Sequence, residues 1–260
     1  MSQVLITGAA GSIGAVLARD LPPYGHRLRL LDRSPVTGAT DAVAADICDP
    51  AALDAALGGM DAVVHLAAIA TEAAFADILH ANLDGTYQVF EAARRAGVRR
   101  VVYASSNHAV GFTPRAALLG ADVPPRPDTF YGVSKVFGEA LGRLYVDRYG
   151  LEVVCLRIGT FAARPEAPRH LSTWLSHGDA VRLVHAALTA PGLTYSVVYG
   201  ISANTRGWWD LEPGRALGYQ PVDDAEAFAA EIVAAHGEPD LADHTQAFVG
   251  GEFTGPEFDA

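Results

Sequence analysis

The chain has 260 residues, half of them hydrophobic, enough to bury one large core or a core with a small lobe. Its 19 Lys and Arg face 30 Asp and Glu, and a formal charge of −11 repels nucleic-acid phosphates and anionic lipid, so neither is an expected partner. No apolar run reaches the roughly 18 residues of a membrane span, and two distant cysteines, Cys48 and Cys155, suit a reduced, cytoplasmic protein.

Short apolar runs alternate with alanine-rich helical stretches. Strands are expected at 4–7, 27–31, 42–45, 62–66, 100–104, 152–157 and 196–199, and helices at 12–21, 50–57, 73–96, 129–149 and 179–190. The strands are continuously apolar, the mark of a parallel sheet covered on both faces. This order predicts an α/β fold with a doubly wound, Rossmann-type parallel sheet. Residues 1–160 form the dinucleotide-binding core. Residues 161–260 add the remaining sheet elements and a small carboxyl-terminal substrate cap, all within one structural unit. Prolines break the rhythm at 111–128, read as a loop over the sheet edge, and at 159–176, which follows a strand and so lies where ligands bind.

The first strand runs into Gly8-x-x-Gly11-Ser12-Ile13-Gly14, and a helix opens there. Glycines allow the tight turn, the backbone approach to a pyrophosphate and close helix–strand packing, while the helix start offers free N–H groups. The spacing is one residue longer than the commonest dinucleotide fingerprint. Asp32 closes the second strand, where a carboxylate binds ribose hydroxyls and repels a 2′-phosphate. NAD is therefore expected over NADP, although Arg33 follows. Asp46 and Ile47, after the third strand, could border the adenine. Leu66, Ala67 and Ala68, after the fourth, are small enough for the dinucleotide to cross, or are plain core packing.

Tyr131 and Lys135 share one face of the helix at 129–149. A phenol titrates near 10, too high for a base at neutral pH, and a neighbouring ammonium and an oxidised nicotinamide would lower it. A hydroxyl at the end of the fifth strand, Ser105 or Ser106, would hold the substrate oxygen. The nine histidines form no close ligand pair, so no metal is expected.

These motifs, with Asn82-x-x-Gly85-Thr86, resemble the extended branch of the short-chain dehydrogenase/reductase superfamily over about the first 160 residues. The resemblance selects Ser106, five places before Gly111, and gives Asn82 a place near the nicotinamide and Lys135 a hold on its ribose. Three further stretches, Ser105-Ser106-Asn107-His108, the run from Arg169 to Ser176, and Ser202-Ala203-Asn204 with Gly207-Trp208-Trp209-Asp210, are similar to the uronate dehydrogenase family, as is the closing Phe248-x-Gly250-Gly251-x-Phe253. That resemblance implies NAD-dependent oxidation of C1 of D-galacturonate or D-glucuronate to the aldarolactone in a homo-oligomer. Tyr131 would take the proton. Asn107 and His108 would reach ring hydroxyls, Thr160 would stand on the substrate side, Arg169 would clamp the C6 carboxylate and Phe253 would cover the sugar. Read without the family, Arg169 is a surface arginine in a proline-rich loop. Where relatives commonly carry a serine this chain has Ala70, with Thr71 next. A dehydrogenase or epimerase of another sugar or nucleotide sugar, and a non-catalytic NAD(P)-sensing protein, are the alternative readings. The second is disfavoured by the intact Tyr-x-x-x-Lys pair.

Overall fold

Strands apolar on both faces need cover on both, and the chain supplies it. In the computed structural model, which describes residues 2–258, seven parallel strands line up. They are β1 (Ser2–Thr7), β2 (His26–Asp32), β3 (Ala42–Ala44), β4 (Ala62–His65), β5 (Arg100–Ser106), β6 (Glu152–Ile158) and, after a short two-stranded pair β7 (Thr160–Phe161) and β8 (Trp174–Leu175), β9 (Tyr195–Gly200). The order is β3-β2-β1-β4-β5-β6-β9. Order therefore reverses between β1 and β4, which opens a crevice at their carboxyl ends. Thr7 pairs with Leu31 on one side and His65 on the other, so the turns after β1, β2 and β4 emerge at one level.

The helices are α1 (Ser12–Asp20), α2 (Pro50–Leu57), α3 (Phe75–Ile78), α4 (Gly85–Arg95), α5 (Phe130–Tyr149), α6 (His170–Thr173), α7 (His177–Thr189), α8 (Glu212–Ala216), α9 (Ala229–His236) and α10 (His244–Ala247). One face of the sheet packs on Val16 and Leu17 of α1 and Leu183 and Val184 of α7. The other packs on Leu53 of α2, Val89 and Phe90 of α4 and Tyr145 of α5. The segment after β9 makes no second sheet. Trp208 and Trp209 join Val110, Leu119, Tyr199 and Val249 in one apolar cluster, with Tyr199 and Trp209 stacked at 5.1 Å. Ala225, Ala229 and Ile232 close another with Leu171 and Trp174.

Two expectations are corrected. The helix expected across 73–96 is split by a π-helical segment, Leu79–Asp84, between α3 and α4. Its wider turn is held by the Asn82 side chain, whose Oδ1 accepts from Ile69 N at 2.7 Å while Nδ2 donates to Ile69 O at 3.0 Å. The loop at 111–128 lies over the β6–β9 edge as expected, with Tyr199 Oη donating to Gly120 O at 3.2 Å. It bridges the tail and the tryptophan cluster, Pro114 to Phe248 and Leu119 to Trp209. Thr129, expected inside the long helix, is instead its cap, with Oγ1 accepting from Gly132 N at 3.0 Å.

Candidate active site

A cleft of about 660 Å³ follows the crevice between β1 and β4 and continues past β5 to α5. Gly8, Gly11, Ser12, Ile13, Gly14, Asp32, Asp46, Ile47, Leu66, Ala67 and Ala68 line its first part. Gly8 has a left-handed φ of 72°, and a Cβ there would lie 2.6 Å from Ala67 N, so the turns after β1 and β4 touch only because the residue is glycine. Gly14 presses on the Gly8 and Ala9 backbone in the same way. Gly11 heads α1 with no side-chain cap, which leaves the first-turn N–H groups for a pyrophosphate. The Asp32 carboxylate is steadied by backbone, Oδ2 accepting from Ala10 N at 3.0 Å and Oδ1 from Ser34 N at 2.8 Å. Arg33 leans toward Asp46, 3.8 Å away. An uncapped helix start, a glycine cradle and a fixed carboxylate at the second strand's end together fit an adenine dinucleotide.

Asn82 is not part of that lining. It is 2% exposed, and its amide is spent on Ile69 and on Ser134 Oγ, 3.1 Å away. It stands behind the wall and ties the turn after β4 to α5. The strand-end rule gave the wall but missed Cys48, His80 and Ala81, which the π-helical segment and the turn after β3 bring in. No sequence pattern marks a π turn.

At the other end, Ser106, Asn107, His108, Tyr131 and Lys135 line the cleft together. The competition between Ser105 and Ser106 has a physical resolution. Ser105 Oγ donates at 2.6 Å to Glu139, which is locked in a buried ion pair with Arg157 at 2.8 Å. Ser106 Oγ instead sits at the strand end, accepting from His108 N at 3.2 Å. Lys135 is 4% exposed and donates from Nζ to Ala104 O at 2.9 Å, with Nζ 5.2 Å from the Tyr131 ring centre. Burial pushes the Lys135 ammonium down to about 8. Burial also pushes the Tyr131 phenol up to about 12, with the hydrogen bond to Ser106 opposing the rise and the Asp128 charge adding to it. Two carboxylate oxygens of Glu72 accept from Phe130 N at 3.2 Å and Tyr131 N at 2.8 Å and so pin the start of α5.

The residues expected on the substrate side divide. Asn107 Nδ2 donates to Val249 O at 3.0 Å, which draws the tail to the cleft. Phe253, from that tail, lies outside the lining and stacks on His108 at 4.1 Å. Thr160 does not line the cleft, because its hydroxyl pairs with that of Thr173 at 2.9 Å across β7 and β8. Nor does Arg169. Its Nη1 donates to Thr245 O at 2.8 Å and Phe248 O at 3.2 Å, and Nη2 donates to Val249 O. Burial pushes this guanidinium down to about 10, with repulsion from Arg115 adding to it. Ala70 lines the cleft but Thr71 does not, so no hydroxyl from this turn faces it at 70 or 71.

Residues 4–178 match the NAD dependent epimerase/dehydratase family. Uronate dehydrogenase of Pseudomonas putida is 41% identical over 97% of this chain and 95% of its own length. That of Agrobacterium fabrum is 45% identical over 97% of each chain. A crystal structure of a variant uronate dehydrogenase from Agrobacterium tumefaciens, complexed with NAD, is 44% identical, covers all of both chains and superposes with a TM-score of 0.93.

Proposed function

Since the chain belongs to the NAD dependent epimerase/dehydratase family and, within it, to the uronate dehydrogenases, we propose that it oxidises C1 of a hexuronic acid, D-galacturonate or D-glucuronate, to the aldarolactone. The carrying observation is that Ser106, Tyr131 and Lys135 share a cleft with the glycine turn and Asp32. Bound NAD supplies the hydride acceptor. Gly8, Gly11, Ser12, Ile13 and Gly14 hold its pyrophosphate, and Asp32 holds the adenosine ribose. Tyr131 takes the proton of the C1 hydroxyl, Ser106 donates to or accepts from that oxygen, and the Lys135 ammonium favours the phenolate. Asn107 and His108 meet ring hydroxyls, and Phe253 covers the sugar.

Arg169 is compatible with two tasks at once. Three of its N–H groups hold the tail, which leaves Nε and one Nη2 proton, the side edge of the guanidinium fork, for the C6 carboxylate. Thr160, turned to Thr173, would act only by steadying β7 beside Phe161, which lines the cleft. The test is NADH absorbance with purified protein, NAD⁺ and a panel of galacturonate, glucuronate, neutral aldoses and UDP-sugars. Turnover confined to the uronates is expected. No turnover on either uronate from neutral to alkaline pH would sink the reading.

Among the described residues no helix is long and apolar enough to cross a membrane. Cys48 and Cys155 are both free, which supports a reducing, cytoplasmic setting. Phe75, Leu79 and Tyr87 from the α3–α4 stretch and Phe130, Val133 and Leu144 of α5 stay largely exposed. Such an apolar helical surface supports a homo-oligomer paired through these helices. Light scattering should give a mass that is a multiple of 27.3 kDa, and a mass of one chain at micromolar concentration would refute the pairing.

A further inference from the structure

Asp128 lies outside the cleft lining, yet its carboxylate is wholly buried within reach of the cleft. Its Oδ2 lies 2.7 Å from His108 Nδ1, and its Oδ1 accepts from Thr129 Oγ1 at 3.0 Å. Three glycines close the space around it: Gly111 from the loop after β5, Gly132 from the first turn of α5, and Gly250 from the tail. A Cβ at any of the three would collide with the carboxylate. Gly250 N also donates to Gly111 O at 2.8 Å, so the tail is fastened at the same point. The carboxylate therefore cannot swing away from the imidazole.

His108 is held on its other sides too. Its ring stacks on Phe253 at 4.1 Å and meets Tyr131 edge-on at 5.7 Å. With Nδ1 committed to Asp128, Nε2 is the nitrogen left for a ligand in the cleft.

We propose that Asp128 is a positioning residue for sugar recognition: it holds His108 with the proton on Nδ1, so that Nε2 accepts a hydrogen bond from a ring hydroxyl of the uronate. The proposal rests on the uronate reading for its substrate, and on the geometry above for the imidazole. It also accounts for Gly111 and Gly250, which meet at this one carboxylate.

The conservative variant is informative because of acceptor arithmetic. Aspartate offers one oxygen to His108 and one to Thr129, whereas asparagine has a single carbonyl oxygen. In Asp128→Asn one partner loses its acceptor. If the new amide N–H meets Nδ1, the imidazole proton moves to Nε2 and the nitrogen facing the sugar becomes a donor.

Asp128→Asn should raise KM for galacturonate about tenfold, with kcat within about threefold of wild type and NADH affinity unchanged. The double variant with His108→Gln should be no worse than His108→Gln alone, because Asp128 acts through that ring. Independently, ¹⁵N NMR of the wild-type protein should show the His108 imidazole, identified by its loss in His108→Gln, protonated at Nδ1 and bare at Nε2. An unchanged KM, additive losses in the double variant, or an Nε2–H tautomer in wild type would each overturn the proposal. Should Asp128→Asn not fold, the wild-type tautomer decides. If wild type fails to oxidise any uronate, the functional reading fails, and the NMR measurement still decides what Asp128 does to His108.

Discussion

Tyr131→Phe should cut kcat by roughly 1000-fold or more, within the range assigned to a positioned general base, while NADH binding stays near wild type. The substitution removes one oxygen and keeps the ring. The contacts of that ring with His108, 5.7 Å away, and with Lys135, 5.2 Å away, therefore survive. What disappears is the oxygen proposed to take the proton. Burial sets the starting point, with the phenol pushed up to about 12 and the neighbouring ammonium down to about 8. A base that begins so high is populated more as the solution becomes alkaline. Oxidation by wild type should accordingly speed up from neutral pH upward, and Lys135→Met should move that rise to higher pH, since the phenolate then has no cation beside it. Steady-state kinetics against pH and NADH fluorescence titration measure both. A phenylalanine variant that keeps wild-type kcat would remove Tyr131 from the chemistry.

Arg169→Ala should lower kcat/KM for uronates by on the order of 100-fold, the scale of an unpaired buried charge contact. Two losses combine. On the proposed reading the substrate loses a planar partner for its carboxylate, and the tail loses its bonds through Thr245, Phe248 and Val249. Limited proteolysis separates them. Faster cleavage within 245–258 reports the tail, whereas a lost preference for uronates over neutral aldoses reports the carboxylate contact. Arg169→Lys should restore charge without the fork and recover only part of the rate. Unchanged kcat/KM in the alanine variant would leave Arg169 with no part in the reaction.

The sheet was legible because its strands are apolar on both faces, and that pattern has one common solution. The carboxyl ends of those strands then gave the first part of the cleft lining almost residue by residue, from Gly8 through Asp32 to Ala68. That Ser106, Tyr131 and Lys135 meet in one cleft was legible for a similar reason: Tyr131 and Lys135 are one helical turn apart, and Ser106 ends a strand. What stayed hidden depends on partners far along the chain. Asn82 has the composition of a surface helix residue, and only its bonds to Ile69 reveal a π turn. Asp128 stands between a proline and a threonine, an ordinary turn by pattern, and only the fold brings His108, Gly111 and Gly250 around it. For Thr160 and Arg169 the resemblance supplied a side of the molecule, but it could not supply the hydroxyl and carbonyls that now occupy them.

The tail's attachment also bears on the order in which the molecule assembles. Asn107 reaches Val249 across 142 positions, and Arg169 reaches the same carbonyl across 80. Contacts that close such long loops carry the largest entropic cost and add little to the sheet beneath. The parallel core can therefore be complete before the tail is fastened beside the cleft. Activity is then expected to be the first property lost, through local opening of the tail. In rising urea, turnover should fade while the helical circular dichroism is still intact, and coincident loss of the two would mean that tail and sheet open as one.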